Sequence, residues 1–574
     1  MYTLGISAFY HDSAAALLKD GRVVAAFEEE RFTRVKHDNT FPRHAIEACL
    51  ALEGIEAKNL TAVTYYEKPL RKFERILDTI ISSYPRSEKL FYTTLNEWLG
   101  NKLHVEKKFR DLFRYTGPFY FNTHHHSHAA AGFFSSSFND AAVLTVDGVG
   151  EYTTTALWKG EGCNIECLNT ISFPDSLGLL YSTFTAFLGF QVNNDEYKVM
   201  GLAAYGSPRY AAKIKEIIQT KPDGSFTLDQ SFFLFNRSVD RLFSAAFVKK
   251  FGTPRTPGSP LTQRDKDMAA SIQHVLEELY FSLINRAYEL TQSPNLCISG
   301  GVALNALANG KILTHTPFTN IHIFGPAGDS GSAIGAAFAT YATDHKKRPS
   351  PPLSLKLGSS YDETMLKPLL KEFEDSPKYT VTQYKKNNER DQRIAQLLNS
   401  DLVGALFVGR MEFGPRALGA RSLIAKPTSQ EMKDRMNQVK KRESFRPFGI
   451  SMLFEEVPRF FTLPKDIIEA PYMNMCFNVQ TEQKDSIAAV VHNDGSVRIQ
   501  TVSQDTDPEY YQIISHFFKL SGVPGVLNTS LNIQGEPLAE HPEQAITLFK
   551  EQPVDFLVLE NFLIEKINHG QHSQ

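Results

Sequence analysis

The run His124-His125-His126-Ser127-His128 packs four imidazoles into five positions. On a helix His124 and His128 lie four residues apart on one face, close enough to share a metal ion. Asp147 closes an apolar strand pattern and Asp329 lies in a glycine-rich turn, so two carboxylates are available to complete the set. Two imidazoles, one or two carboxylates and open positions suit a divalent transition metal such as iron or zinc better than calcium or magnesium. The same histidines also fit a hydrogen-bonded core feature. His125 and His126 fall off the shared face and read as structural. A second group is cationic: the 37 residues from Arg410 to Arg446 hold ten Lys or Arg against four Asp or Glu, a local +6 in a chain of net −3. Guanidinium forks match phosphate oxygens and lysines add point charge, so a polyphosphate site is one reading. Nucleic acid is another, and Lys433 and Arg435 fit the solvated face of a helix. Arg416 sits in GPRALG, a turn that fixes its backbone. A third group, VLNTSLNIQGEP, is an apolar strand ending in Asn528, Thr529, Ser530 and Asn532. Those side chains suit contacts to a nucleotide or a carbonyl, or an Asx-rich turn. Lys198 in DEYKVMGLAAYG and Lys36 in EEERFTRVKHDN stand in mixed surroundings that spacing alone does not interpret.

These groups need a scaffold. Residues 3–8 are β-prone and run into Phe9-Tyr10-His11-Asp12; AAALL, the turn Lys19-Asp20-Gly21 and RVVAAF then form a hairpin closed by Asp-Gly. From residue 141 the same grammar returns as AAVLTVD, a polar turn and TTTALWKGEG, with Asp147 standing 140 positions after Ser7. This duplication predicts two similar α/β halves. Residues 268–292 predict a long amphipathic helix. NLCISGGVALNALANG and NIHIF-GPAGDSGSAIGAA each read as strand, glycine-rich turn and helix N-terminus, a geometry whose free N–H groups suit an anion. Residues 345–356, with three prolines and a short basic run, are the best linker. Beyond them, 400–574 reads as strands with one clear helix, opened by a capping box of Thr428 and Glu431.

Length and composition agree with a large globular chain. The 574 residues are 42% hydrophobic and 22% charged, which excludes bulk disorder and coiled coil. The balanced net charge argues against a dedicated nucleic-acid binder. Five scattered cysteines do not form a disulfide framework or a four-cysteine zinc site, which points to a reducing compartment. No apolar run reaches ~18 residues and the start shows no signal-peptide pattern. The expectation is a cytoplasmic protein with no membrane partner.

Taken together, GISAFYHDSAAALLKDG, EEERFTRVKHD, HHHSHAA, VDGVGE, YKVMGLAAYG, SGGVALN, GPAGDSGSAIGAA, GRMEFGPRALG, KRESFRPF and NTSLNIQGEP resemble the NodU/CmcH/TobZ O-carbamoyltransferases, in the family's order and over nearly the whole chain. The resemblance implies a duplicated α/β domain of the actin- and sugar-kinase-like kind, akin to the TsaD tRNA threonylcarbamoyl transferases, over 1–350. A YrdC-like α/β domain follows over 351–574. It implies that carbamoyl phosphate and ATP are coupled to carbamoyl-adenylate in the second domain. The carbamoyl group then passes to an alcohol in the first, beside a bound Fe(II)-type divalent metal. Carried over by motif, His124, His128, Asp147 and Asp329 are the metal ligands. Arg416, Lys441, Arg446, Arg498, Asn528 and Ser530 hold ATP and carbamoyl phosphate. His11 and Lys36 adjoin the acceptor and the adenylate, and Asn305 with the Gly300-Gly301 turn contacts the nucleotide. His11 is the candidate base, because an unperturbed imidazole titrates near neutrality. The chain departs from the family at Ala420, where Asn is usual, at Leu531, where Phe is usual, and at DEYK, where Gly-x-Lys is usual. These departures bear on substrate shape and on the role of Lys198. The implied acceptor is a small-molecule alcohol, on an antibiotic, another natural product or a saccharide. Oligomeric state is open, a homodimer included. A tRNA threonylcarbamoyl transferase-like enzyme is the alternative; balanced charge and the single-chain domain order weigh against it.

Overall fold

The computed structural model describes residues 1–567 apart from 85–86, 239–240 and 466–467, so the last seven residues of the expected second domain lie outside the described residues. The chain divides into two compact units, one of 1–29 with 37–352 and one of 30–36 with 353–574. The break falls inside the proline-rich segment, but the second unit also takes in Glu30–Lys36, which no feature of the sequence announced.

The first unit contains two sheets. β1 (Tyr2–Ser7), β2 (Ala14–Lys19), β3 (Arg22–Glu28), β4 (Leu60–Tyr65) and β5 (Phe119–Phe121) stand in the order β3-β2-β1-β4-β5. β6 (Asp140–Val146), β7 (Thr153–Glu161) and β8 (Asn164–Ser172) precede a two-stranded sheet of β9 (Ile218–Thr220) and β10 (Phe226–Leu228). With β11 (Asn295–Ser299) and β12 (Asn320–Ile323), strands β6 to β8 form a sheet in the order β8-β7-β6-β11-β12. In both five-stranded sheets the first three strands are antiparallel neighbours and the last two are added in parallel. The expected duplication is therefore a repeated topology. Parallel additions need crossover connections, which helices supply.

Two of those helices matter most. His124–Phe134 follows β5, and Asp329–His345 follows β12. The second, DSGSAIGAAFATYATDH, is built of small residues and is buried from Asp329 to Ala342. A Cβ added at Gly335 would lie 1.9 Å from the carbonyl oxygen of Ser127 on the first helix, and one at Gly5 of β1 would lie 1.9 Å from Ala333 O. The missing side chains are what let these backbones touch. The long helix runs from Gln263 to Thr291 behind a capping box of Thr262 and Asp265.

The second unit is a mixed α/β structure on one ten-stranded sheet. Its strands are β13 (Tyr379–Gln383), β14 (Gly404–Phe407), β15 (Arg421–Ala425), β16 (Gly449–Leu453), β17 (Phe461–Thr462), β18 (Met475–Val479), β19 (Ser496–Val502), β20 (Gly525–Ser530), β21 (Phe556–Leu559) and β22 (Phe562–Lys566). They stand in the order β13-β22-β21-β14-β15-β20-β16-β19-β18-β17. Two expectations are corrected here. Helix Gln430–Val439 is capped by Ser429, whose hydroxyl accepts from Met432 N, so the cap is one residue later than Thr428. The region also holds the helices Pro508–Ser521 and Pro542–Glu551 besides it. Both begin at a proline, whose missing N–H is harmless in the first turn.

Candidate functional site

Helix His124–Phe134 presents His124 and His128 on one face, as their spacing requires. The loop after β6 brings Asp147 to them, and the N-terminus of Asp329–His345 brings Asp329. His124 Nε2 lies 3.1 Å from His128 Nε2 and 2.9 Å from Asp147 Oδ2. His128 Nε2 lies 3.1 Å from Asp147 Oδ2 and 3.4 Å from Asp329 Oδ1; His124 Nε2 lies 3.7 Å from the latter. Ligands about 2.1 Å from one ion stand roughly 3.0–3.5 Å apart, so these separations are those of a common centre. The surroundings make the same point. Asp329 Oδ2 is buried without a hydrogen-bond partner. Burial opposes charge on the His124 ring, yet Asp329, Asp147 and Glu67 outweigh it and lift its pKa to about 10. Asp147 is held well below the usual carboxylate range against its own burial, by hydrogen bonds to both rings. Four side chains in this balance fit a divalent cation, which would replace the shared proton.

The outer contacts are ordered. Glu151 accepts from the His124 backbone N–H, Glu67 faces His124 Nδ1 at 3.7 Å and is itself paired with Lys72 at 2.6 Å, and Ser332 Oγ lies 3.1 Å from His128 Nδ1, placed to accept its hydrogen when Nε2 is a ligand. The amides of Gly148 and Gly301 donate to Asp147 Oδ1. Gly300, at φ 99, must be glycine, since a Cβ would meet Val146 O at 2.2 Å. The Gly300-Gly301 turn thus positions Asp147. Asn305 caps helix Ala306–His315 through Ala308 N and exchanges hydrogen bonds with Gln273. His125 binds Thr145 Oγ1 and is structural.

His11 departs from the expectation of a neutral imidazole. Its Nδ1 lies 2.7 Å from Asp12 Oδ2 and its Nε2 2.5 Å from Asn193 O. Burial disfavours the cation, but Asp12 overrides it and raises the pKa to about 10. Both ring nitrogens are engaged, so the ring is not a ready base. Lys198 pairs with Asp195 at 3.2 Å.

In the second unit the basic segment sorts into two sets. Arg421 is fully buried, donates to Val408 O, Gly409 O and Ser359 O, and lies over the Phe407 ring at 3.7 Å. Arg435 pairs with Asp555 at 2.6 Å, and Lys433 is buried, so neither is a solvated helix face. The other set gathers around Lys440. Its ammonium donates to Ser530 O, Ser530 Oγ and Asn532 O, and burial together with Arg442, Arg446 and Lys36 holds its pKa well below that of an ordinary lysine. Arg498 is likewise lowered by burial, with Arg446 beside it. Arg446 and Arg498 therefore lie near one another. Arg416 is half-buried in its turn, and Lys441 is exposed, at φ 48, where the helix ends. Asn528 is fully buried: its amide donates to Ala417 O, Ser451 Oγ and Gln500 Oε1, while its Oδ1 has no partner. Lys440, Arg442, Asp12 and His37 were not singled out from sequence. The first two are hidden in a run of like charges, the others in a loop.

Among the described residues no helix is long and apolar enough to cross a membrane. Residues 2–338 match the family model for the Carbamoyltransferase N-terminus, and 395–566 that for the Carbamoyltransferase C-terminus. The chain is 41% identical to an uncharacterized protein of Synechocystis, over 100% of this chain and 98% of that one. It is 34% identical to Nodulation protein NolNO of Sinorhizobium fredii, over 97% and 79%. It is 35% identical to Nodulation protein NolO of Bradyrhizobium diazoefficiens, over 77% and 78%.

Proposed function

The chain belongs to the NodU/CmcH/TobZ-type O-carbamoyltransferase family, and from that premise we propose that it makes carbamoyl-adenylate from carbamoyl phosphate and ATP and passes the carbamoyl group to a hydroxyl of a small molecule. In this reading the second unit is YrdC-like and performs the adenylation, and the first is actin- and sugar-kinase-like, of the TsaD kind, and performs the transfer. The acceptor is an antibiotic, another natural product or a saccharide.

The observation that carries the reading is the convergence of Lys36, Arg442 and Arg446 about the buried Lys440, with Arg498 beside Arg446. Cations so placed offset the negative charge that develops as carbamate, freed from carbamoyl phosphate by water with release of phosphate, attacks the α-phosphorus of ATP through its oxygen and pyrophosphate leaves. Ser530 and Asn532 fix the Lys440 ammonium, and the unpartnered Asn528 Oδ1 offers an acceptor for a donor on the bound substrates. Arg416 and Lys441 are assigned to the same phosphates, and Gly300, Gly301 and Asn305 to the nucleotide.

In the first unit His124, His128, Asp147 and Asp329 would hold Fe(II), which when bound supplies Lewis-acid polarisation of the carbamoyl carbonyl or the adenylate phosphate. Glu67 and Ser332 fix the orientation of the two rings. Lys36 adjoins the adenylate and His11 the acceptor. For His11 to take the hydroxyl proton, one of its ring nitrogens must first release its present partner.

The test uses the purified chain with ATP and carbamoyl phosphate and no acceptor, following phosphate and pyrophosphate. The expected result is pyrophosphate release that needs carbamoyl phosphate and is lost in Lys441→Ala. Folded protein that releases none, with or without candidate alcohols, overturns the reading.

A further inference from the structure

Beyond the four-ligand cluster, the first unit holds another set of metal-type donors. His11, Asp12 and His37 present ligand atoms that all lie within 4.8 Å of one another. Asp12 and His37 both adopt positive φ, 43° and 57°. Non-glycine residues in that region are strained, and such strain clusters at functional sites. One carboxylate serves two rings: His11 Nδ1 is 2.7 Å from Asp12 Oδ2, and His37 Nδ1 is 2.7 Å from Asp12 Oδ1. The ring centroids are 4.6 Å apart.

The far nitrogens decide what the near ones can be. His11 Nε2 meets the carbonyl oxygen of Asn193 at 2.5 Å. A carbonyl only accepts, so this nitrogen carries hydrogen. His37 Nε2 meets Asn194 Oδ1 at 2.9 Å. The Asn194 amide is oriented by its NH2 donating to Asp195 Oδ1 at 3.0 Å, so the atom facing His37 is oxygen, and this Nε2 also carries hydrogen. A neutral imidazole has one N–H. With it at Nε2, each ring turns an Nδ1 lone pair onto a carboxylate oxygen at 2.7 Å. Positive charge must intervene. Protons would make two imidazolium rings, tilted by 35° with centroids 4.6 Å apart, around a single negative charge. One divalent cation satisfies both lone pairs and the carboxylate while both rings stay neutral. Histidine ligands with the opposite N–H held by a carbonyl or amide oxygen are the usual outer-shell arrangement of metal sites.

We propose that His11, Asp12 and His37 form a second divalent transition-metal site, separate from His124, His128, Asp147 and Asp329. Its two-nitrogen, one-carboxylate set is of the iron, manganese and zinc class and leaves positions for oxygen ligands such as water or a hydroxyl. The proposal needs only these side chains, and its test is independent of carbamoyl transfer.

The full-length chain is stripped with chelator, reloaded with cobalt(II) chloride, and assayed for bound cobalt per chain and for visible absorption. Two equivalents are expected in the unsubstituted chain. One is expected in His37→Ala, and one, with its absorption retained, in the double variant His124→Ala/His128→Ala. Asp12→Asn, nearly the same size, should bind one as well and stands in if His37→Ala does not fold. A folded double variant that binds none overturns the proposal. So does an Asp12→Asn variant that still binds two. Failure here leaves the pyrophosphate result untouched, and the reverse holds as well.

Discussion

Gly335→Ala probes how the four-ligand cluster is assembled. The added Cβ would stand 1.9 Å from Ser127 O and 2.8 Å from Ala131 N, while ordinary contact begins near 3.4 Å. The nearest obstacles are backbone atoms, so no side-chain rotation relieves the clash, and the helices His124–Phe134 and Asp329–His345 must part by about 1.5 Å. His128 Nε2 and Asp329 Oδ1, now 3.4 Å apart, would then stand about 4.9 Å apart. Two ligands of one ion at about 2.1 Å cannot be more than about 4.2 Å apart, so Asp329 is lost as a ligand. The expected outcome is at least about a 100-fold loss of metal affinity, read by competition with a chromophoric chelator. Overpacking should cost about 3 kcal/mol, or roughly 6 °C in the melt of the first unit. Gly328→Ala is the control: it is on the same helix entry, φ is −75, and nothing lies within 4 Å of its Cβ, so both readouts should stay unchanged. A Gly335→Ala chain with the parent's melting temperature and full metal content would refute the geometry.

Two further outcomes follow from burial. Burial pushes the His322 imidazole down to about 4, below its unfolded value of about 6.5. The native ring stays neutral where the unfolded one binds a proton, so stability is full above about pH 6.5 and falls as pH drops toward 4, by about 3 kcal/mol; His322→Gln should flatten that slope in denaturant titrations at stepped pH, and an unchanged slope counts against it. The Cys297 thiol is pushed up to about 12 by burial, and Cys49 and Cys476 are also buried, whereas Cys167 is exposed. A thiol reagent at pH 8 should therefore label Cys167 in the native protein and reach the three buried cysteines only on unfolding, as peptide mapping would record; rapid native labelling of Cys297 contradicts this.

Local pattern disclosed much of this molecule. An i, i+4 histidine pair, a strand-terminal aspartate and an aspartate at a helix start needed only the helix and strand periods to be noticed, and those four side chains meet. The duplicated hairpins likewise mark a repeated sheet topology. What stayed hidden depends on contacts distant in sequence. Lys440 is one cation among ten until the end of β20 and the turn after it place the oxygens of Ser530 and Asn532 around the ammonium. His37 becomes a partner of Asp12 only through two left-handed residues. Asn305 and the Gly300-Gly301 turn are chemically able to touch a nucleotide, yet here they cap a helix and hold Asp147, and no spacing rule separates the two uses. His11 was legible as a histidine in a loop, but not as one clamped between a carboxylate and a carbonyl.

The assignment of Glu30–Lys36 to the second unit has a consequence for how the chain is made. Arg31 donates to Gly414 O, and Arg34 to Pro537 O and Leu538 O. These arginines precede their partners by the whole of 37–352, a stretch of 316 residues. At about 5–20 residues per second the wait is roughly 15–60 s for that stretch alone. The first unit can thus complete itself during synthesis, whereas the second must hold 30–36 until the residues after 352 are made. A cut at 352/353 would yield a C-terminal fragment without Arg31 and Arg34, so splitting the protein into separately expressed halves also divides one of its folding units.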